Sequence, residues 1–181
     1  MPGHASLHEK VIAALSRCQE RQAVDFKESA AWEDLKLRVI KTLMGMGNLR
    51  DGGIIVIGVS ERGSTWELTG ISAAHLATFD VDTIIGQVNA YASLHLDVDV
   101  VTVRLENGQT YLAIQAREFA DSPIVCKKNA VIKQQVETKV LLEEGAVYIR
   151  PPGVPRTSKV MDAQQMHDLL ELAAEKRARR I

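Results

Sequence analysis

The run Gly52-Gly53-Ile54-Ile55-Val56-Ile57-Gly58-Val59 constrains the fold more than any other part of the chain. Its apolar stretch from Ile54 to Val59 is short, rich in β-branched residues and bounded by glycine. That combination predicts a central strand buried on both faces. The paired glycines at its head suit positive φ where the chain turns into the strand. Upstream, Val24-Asp25-Phe26-Lys27 alternates apolar and charged residues. As a strand at about 22–28, it would send Val24 and Phe26 into the core and set Asp25 beside Lys27 on the opposite face.

The remaining elements follow from capping and periodicity. Ser6-Leu7-His8-Glu9 is a capping box that opens an amphipathic helix over 6–18. Trp32 to Gly47 predicts a second helix, with Glu33 and Asp34 in its first turn and Leu35, Val39, Leu43 and Met46 on one stripe. Asn48 to Gly53 reads as a turn. Arg62-Gly63 returns the chain into a strand near Trp66–Leu68. Asp80 or Asp82 caps a third helix that faces Ile84, Ile85, Val88 and Tyr91 inward. Two β-type runs flank Asn107-Gly108, a strong short hairpin signal. A short strand is expected at Ile124–Cys126, an excursion or loop over 127–145, and a last strand over 146–150 broken by Pro151-Pro152-Gly153. Asp162-Ala163-Gln164-Gln165 opens a C-terminal helix over 162–178. Helices alternating with mostly hairpin-linked strands indicate an α+β fold, with a mixed, mostly antiparallel sheet packed with helices.

A chain of 181 residues reads as one domain, 1–181, with a core large enough to stand alone. No apolar run approaches the length of a membrane helix, and no signal pattern opens the sequence, so a cytoplasmic protein with no membrane partner is expected. Cys18 and Cys126 show neither CxxC nor metal spacing and read as reduced thiols. The net charge of −1 favours no particular partner. Its distribution is uneven: residues 122–181 carry 11 Lys and Arg against 7 Asp and Glu, whereas residues 1–121 are net acidic. A local phosphate-binding face is therefore possible on a near-neutral protein. The run Glu175-Lys176-Arg177-Ala178-Arg179-Arg180 is equally a solvated helix end, where cations suit the dipole.

Several residues can carry chemistry. A carboxylate two residues from a lysine on a rigid strand can hold a hard cation while the ammonium meets a phosphate. Asp25 and Lys27 have that spacing, and a surface ion pair is the plainer alternative. Arg150, Arg156 and Lys159 flank a stiff Pro-Pro-Gly turn and can position a sugar-phosphate backbone or simply be solvated. Arg50, beside Asp51, can touch phosphate or close a salt-bridged turn. Trp32, Trp66, Tyr111 and Tyr148 are candidate stacking platforms, although the core claims most aromatics in a chain this poor in them. The glycines at 45–53 close a helix and open a strand, the reverse of a dinucleotide loop, and no Walker lysine follows. No nucleotide cofactor is expected.

Taken in order, Asp25-Phe26-Lys27-Glu28, a helix, and Gly47-Asn48 through Gly58-Val59 resemble the signature of the Schlafen-type AlbA-like domain. Ala146-Val147-Tyr148-Ile149-Arg150-Pro151-Pro152-Gly153 and Thr157-Ser158-Lys159 are similar to that family's closing strand and helix. The resemblance covers about residues 20–172. It implies a DNA- or RNA-binding module of the kind widespread in bacteria. By analogy with the animal branch, it also implies a Mg²⁺- or Mn²⁺-dependent endonuclease acting on RNA or single-stranded DNA. In that reading Glu20 and Asp25, five residues apart, and Glu61 hold the metal, and Lys27 assists catalysis. Lys27, Arg50, Arg150, Arg156 and Lys159 contact nucleic acid. A single lobe implies a homodimer. The alternatives are a non-catalytic DNA-binding or transcription-regulatory module, and a protein-interaction adaptor within a larger assembly.

Overall fold

In the computed structural model, which describes residues 5–133 and 137–179, the apolar run forms the second strand of a four-stranded sheet. In chain order, the elements begin with helix α1 (Leu7–Arg17), strand β1 (Val24–Lys27) and helix α2 (Trp32–Gly47). Strands β2 (Gly53–Ile57), β3 (Val59–Arg62) and β4 (Thr65–Leu68) follow, then helices α3 (Ala73–Leu76) and α4 (Val81–Tyr91). Strands β5 (Val98–Arg104), β6 (Thr110–Ala116), β7 (Ala130–Lys133) and β8 (Thr138–Leu142) come next. Strands β9 (Tyr148–Ile149) and β10 (Ser158–Lys159) and helix α5 (Ala163–Ala178) complete the fold. Arg180, and residues 134–136 of the expected excursion, lie outside the described residues.

The main sheet has the order β1-β2-β6-β5, with β1 parallel to β2 and the other pairings antiparallel. The expected α+β class and mixed sheet are what the chain forms. Side-chain alternation divides the core in two. Phe26, Ile54, Val56 and Ala113 face α1, packing against Val11, Ala14 and Leu15. Ile55, Ile57, Leu112 and Ile114 face α2, joined by Ile84 and Val88 of α4 and Leu169 and Leu172 of α5. The α2 stripe of Leu35, Val39, Leu43 and Met46 is buried, and each such side chain contributes about 1.5–3 kcal/mol by leaving water.

The capping chemistry holds. Ser6 and Glu9 form the reciprocal box of α1, while Asp80 and Asp162 cap α4 and α5. Gly52 enters β2 at φ 71°, and a Cβ there would stand 2.1 Å from the Ala116 carbonyl oxygen.

Four expectations need correction. The apolar run is not one strand: Gly58, at φ 112°, separates β2 from β3. Ile124–Cys126 forms no strand, only a bridge from Cys126 to Ala92. Part of the 127–145 excursion is the β7–β8 hairpin. The face of β1 bearing Asp25 and Lys27 is not open, because the sheet is covered on both sides; Asp25 is 5% exposed. Alternation itself is kept, since Phe26 faces α1 while Asp25 and Lys27 meet on the other side.

Candidate nucleic-acid interface

β1 lies at the edge of the sheet, and its polar face is closed by the returning chain at β9. Asp25 Oδ2 accepts from Lys27 Nζ, and Asp25 Oδ1 accepts from Arg150 Nη1 at 3.2 Å. Arg150 Nε donates to the Gln22 carbonyl at 2.6 Å, and Nη2 donates to the Arg21 carbonyl at 3.0 Å. Gln22 Nε2 returns a bond to the Arg150 carbonyl at 2.6 Å. The guanidinium therefore fastens the end of β9 to the start of β1. The Arg150 side chain is 0% exposed, so the expected surface contact with phosphate is replaced by a structural role: its donors are consumed by carbonyls and a carboxylate.

Glu20 accepts from the Phe26 backbone N–H at 3.0 Å. Burial pushes its carboxyl group up; the Phe26 hydrogen bond opposes this, the charge of Asp25 adds to it, and Lys27 and Arg150 oppose it. Glu61 lies exposed on β3, in register with Trp66 of β4. Glu20 and Glu61 line one open depression of about 650 Å³ with Trp66 and Pro155, but Asp25 is not on its wall. Among the described residues, no three His, Cys, Asp or Glu side chains gather to hold a metal ion. The donor set does not fit a shared cation: both Asp25 oxygens are taken by cations, and a Glu20 oxygen is taken by a backbone N–H.

The remaining predicted cations separate into two groups. Arg50 makes a two-pronged pair with Glu175 of α5, at 2.9 and 3.1 Å, instead of pairing with Asp51. Arg156 is exposed and has no carboxylate partner among the described residues. Lys159 binds Glu143 at 2.7 Å, which holds its ammonium above the usual lysine range. Beside it stand two lysines that the sequence reading did not select. Lys41 of α2 sits over the Tyr148 ring, 5.1 Å from the centroid. Burial pushes its ammonium down, and repulsion from Lys139 and Lys159 pushes it further. Lys41 of α2, Lys139 of β8 and Lys159 of β10 are thus near enough to feel one another's charge, with Lys159 also held by Glu143, and the 150–157 loop that carries Arg156 leads into β10.

The aromatic candidates are mostly core. Trp32, Tyr111 and Tyr148 are at most 2% exposed. Trp66 alone is half-open, edge-on to Phe26 at 5.5 Å.

Comparison with known proteins places the chain. The family described as Schlafen, AlbA_2 matches residues 20–151. The chain belongs to the Schlafen, AlbA_2 family. The family match ends at Pro151, so the resemblance at Thr157–Lys159 lies beyond it. No curated protein matches the sequence. Among solved structures, this Schlafen, AlbA_2 chain is similar to the DIP2311 protein from Corynebacterium diphtheriae, with a TM-score of 0.54 and 18% identity. That match covers 88% of this chain and 28% of the other, so this chain spans little more than a quarter of that protein's length. It is also similar to the N-terminal domain of an ATP-dependent DNA helicase RecG-related protein from Nitrosomonas europaea. That match has a TM-score of 0.49 and 20% identity, covering 72% of this chain and 86% of that one. No described helix is long and apolar enough to cross a membrane.

Proposed function

We propose that this chain is a nucleic-acid-binding module whose phosphate contacts come from Lys41, Lys139 and Lys159, with Arg156 on the adjoining loop. The observation that carries this reading is the convergence of Lys41, Lys139 and Lys159 from three elements: burial chiefly holds the Lys41 ammonium down, and the charges of Lys139 and Lys159 add to it. Like charges held together cost stability, and a polyanion that threads between them relieves the repulsion. Membership of the Schlafen, AlbA_2 family supports the same reading.

Binding is favoured over cleavage. The three acids expected to hold Mg²⁺ or Mn²⁺ do not converge among the described residues, and Asp25 is already paired with two cations. Lys27 is occupied by Asp25 rather than presented to a transition state. A homodimer or a larger protein assembly would present the basic face more than once, and sedimentation of the protein with and without oligonucleotide tests that arrangement.

The functional test is anisotropy of labelled single- and double-stranded RNA and DNA, followed by gel analysis of the same samples in Mn²⁺ and in chelator. Binding that weakens with salt, with the strands intact in both conditions, is expected. Metal-dependent cleavage lost in Asp25→Asn would replace this reading with the endonuclease one.

A further inference from the structure

A second candidate site lies on the other face of the sheet, under α1, and goes beyond the binding face at Lys41. The paired residues Val24, Ile54 and Gln115 form a transverse row across β1, β2 and β6, so their side chains share the α1 face. Gln115 is anomalous in that row. It is the only polar member of the stretch from Tyr111 to Ala116, and it is 8% exposed. Its side-chain amide makes no hydrogen bond to another described residue and is not sealed from solvent, so its donor and acceptor are available on the wall of the cavity beside it. An amide held on a mostly buried strand with its polar end open to a cavity can exchange water for a ligand's donor and acceptor.

The amide lines a cavity of about 370 Å³ between α1 and the sheet. Ala14, Ala23, Val24 and Ile54 supply an apolar floor. Lys10, Arg17 and Arg21 stand at the rim, and none has a carboxylate partner among the described residues. Arg50 also reaches the rim but is held by Glu175, and Asp51 is the one acid there. The volume is at the small end of ligand pockets, which run about 300–1,000 Å³.

These three features select a ligand class. Inorganic phosphate would use the cations and leave the apolar floor and the amide idle. A fatty acid would use the floor and the cations but leave the amide unpaired. A nucleoside 5′-phosphate uses all three: a flat base for the floor, a donor–acceptor edge for the carboxamide, and a phosphate for the arginines. We propose that the pocket between α1 and the β1-β2-β6 row binds one nucleoside 5′-phosphate, with Gln115 reading the base edge and Arg17 and Arg21 holding the phosphate. The ligand is either a free mononucleotide or the 5′ end of a strand; both present the same chemistry.

Calorimetric titration of the full chain with AMP, GMP, CMP, UMP and inorganic phosphate tests the proposal. At least one mononucleotide is expected to bind with Kd below about 1 mM, and phosphate at least about tenfold more weakly. Gln115→Leu is expected to lose about tenfold in affinity without a lower melting temperature, because it exchanges an unpaired amide for an apolar group. Ala13→Trp, at an exposed position on the cavity wall, is expected to block binding without touching the core. A 5′-phosphorylated oligonucleotide that displaces the mononucleotide identifies a strand end as the ligand, and failure to displace it identifies the free nucleotide. The triple variant Lys41→Gln, Lys139→Gln, Lys159→Gln is expected to keep mononucleotide binding, which separates this site from the basic face. No binding of any mononucleotide at about 10 mM, phosphate binding as tightly as the nucleotides, or unchanged affinity in both Gln115→Leu and Ala13→Trp would overturn it.

Discussion

Arg150 and Asp25 meet across 125 residues of sequence, with Nη1 3.2 Å from Oδ1 and the arginine side chain wholly buried. Their contact ties the last strand pair to the edge of the main sheet. Removing one partner of a buried ion pair strands the other. Arg150→Met should therefore lower the free energy of unfolding by about 3–5 kcal/mol, read as a lower urea midpoint at an unchanged slope. Arg150→Lys should recover only part of that loss, because an ammonium cannot reach Asp25 and the carbonyls of Arg21 and Gln22 together.

Asn48 is a second fastening point. Its Nδ2 donates to the carbonyls of Ile124 and Tyr148, each at 2.9 Å, and its Oδ1 accepts from the Ile124 N–H at 2.7 Å. Asn48→Ala leaves several buried backbone groups without partners and should cost about 3 kcal/mol or more. Thermal melting checks this; a loss under about 1 kcal/mol would mean that water or a local shift satisfies them.

Gly58 separates β2 from β3 at φ 112°, and a Cβ there would lie 2.7 Å from the Gly70 carbonyl carbon. Gly58→Ala combines positive φ with overpacking and should cost about 2–4 kcal/mol, again read from the urea midpoint.

Glu20 gives a pH signature. Burial raises its folded pKa above the ordinary value of 4.5, so folding favours the protonated acid. The stabilisation this lends is complete below the unfolded value and is lost as pH rises through the folded one. Glu20→Gln keeps an oxygen for the Phe26 N–H and removes the charge. It should be more stable than the parent at pH 7, with the difference closing as pH falls towards 4.5. Parallel stability curves across that window would contradict the assignment.

Much of the fold was legible because its signals are local. The Ser6–Glu9 box, the α2 stripe and the Asn107-Gly108 turn each depend on residues close together in sequence. The β7–β8 hairpin escaped notice because its strands bury little beyond Ala130 and Leu142 at one end, so no amphipathic alternation marks them. The candidate site was harder to read. Arg150 has the local sequence of a loop cation, and only its distant partners in β1 reveal a structural role. Lys41 stands among apolar and charged neighbours on α2, and Lys139 falls in the segment read as a loop. Their convergence with Lys159 depends on α2, β8 and β10 packing together, which no sequence spacing records.

The measurement closest to the central claim is the salt dependence of single-strand binding for the parent and for Lys41→Gln, Lys139→Gln, Lys159→Gln. Each lost phosphate contact should flatten the slope of log K against log salt by about 0.7, or about 2 for the triple variant. Affinity should fall at low salt. Lys41→Gln alone should also raise the melting temperature at neutral pH, because relief of a partly buried ammonium repelled by Lys139 and Lys159 outweighs the lost contact with the Tyr148 ring. Flattened salt dependence with intact folding is the predicted result. An unchanged slope and affinity in the triple variant would contradict the account.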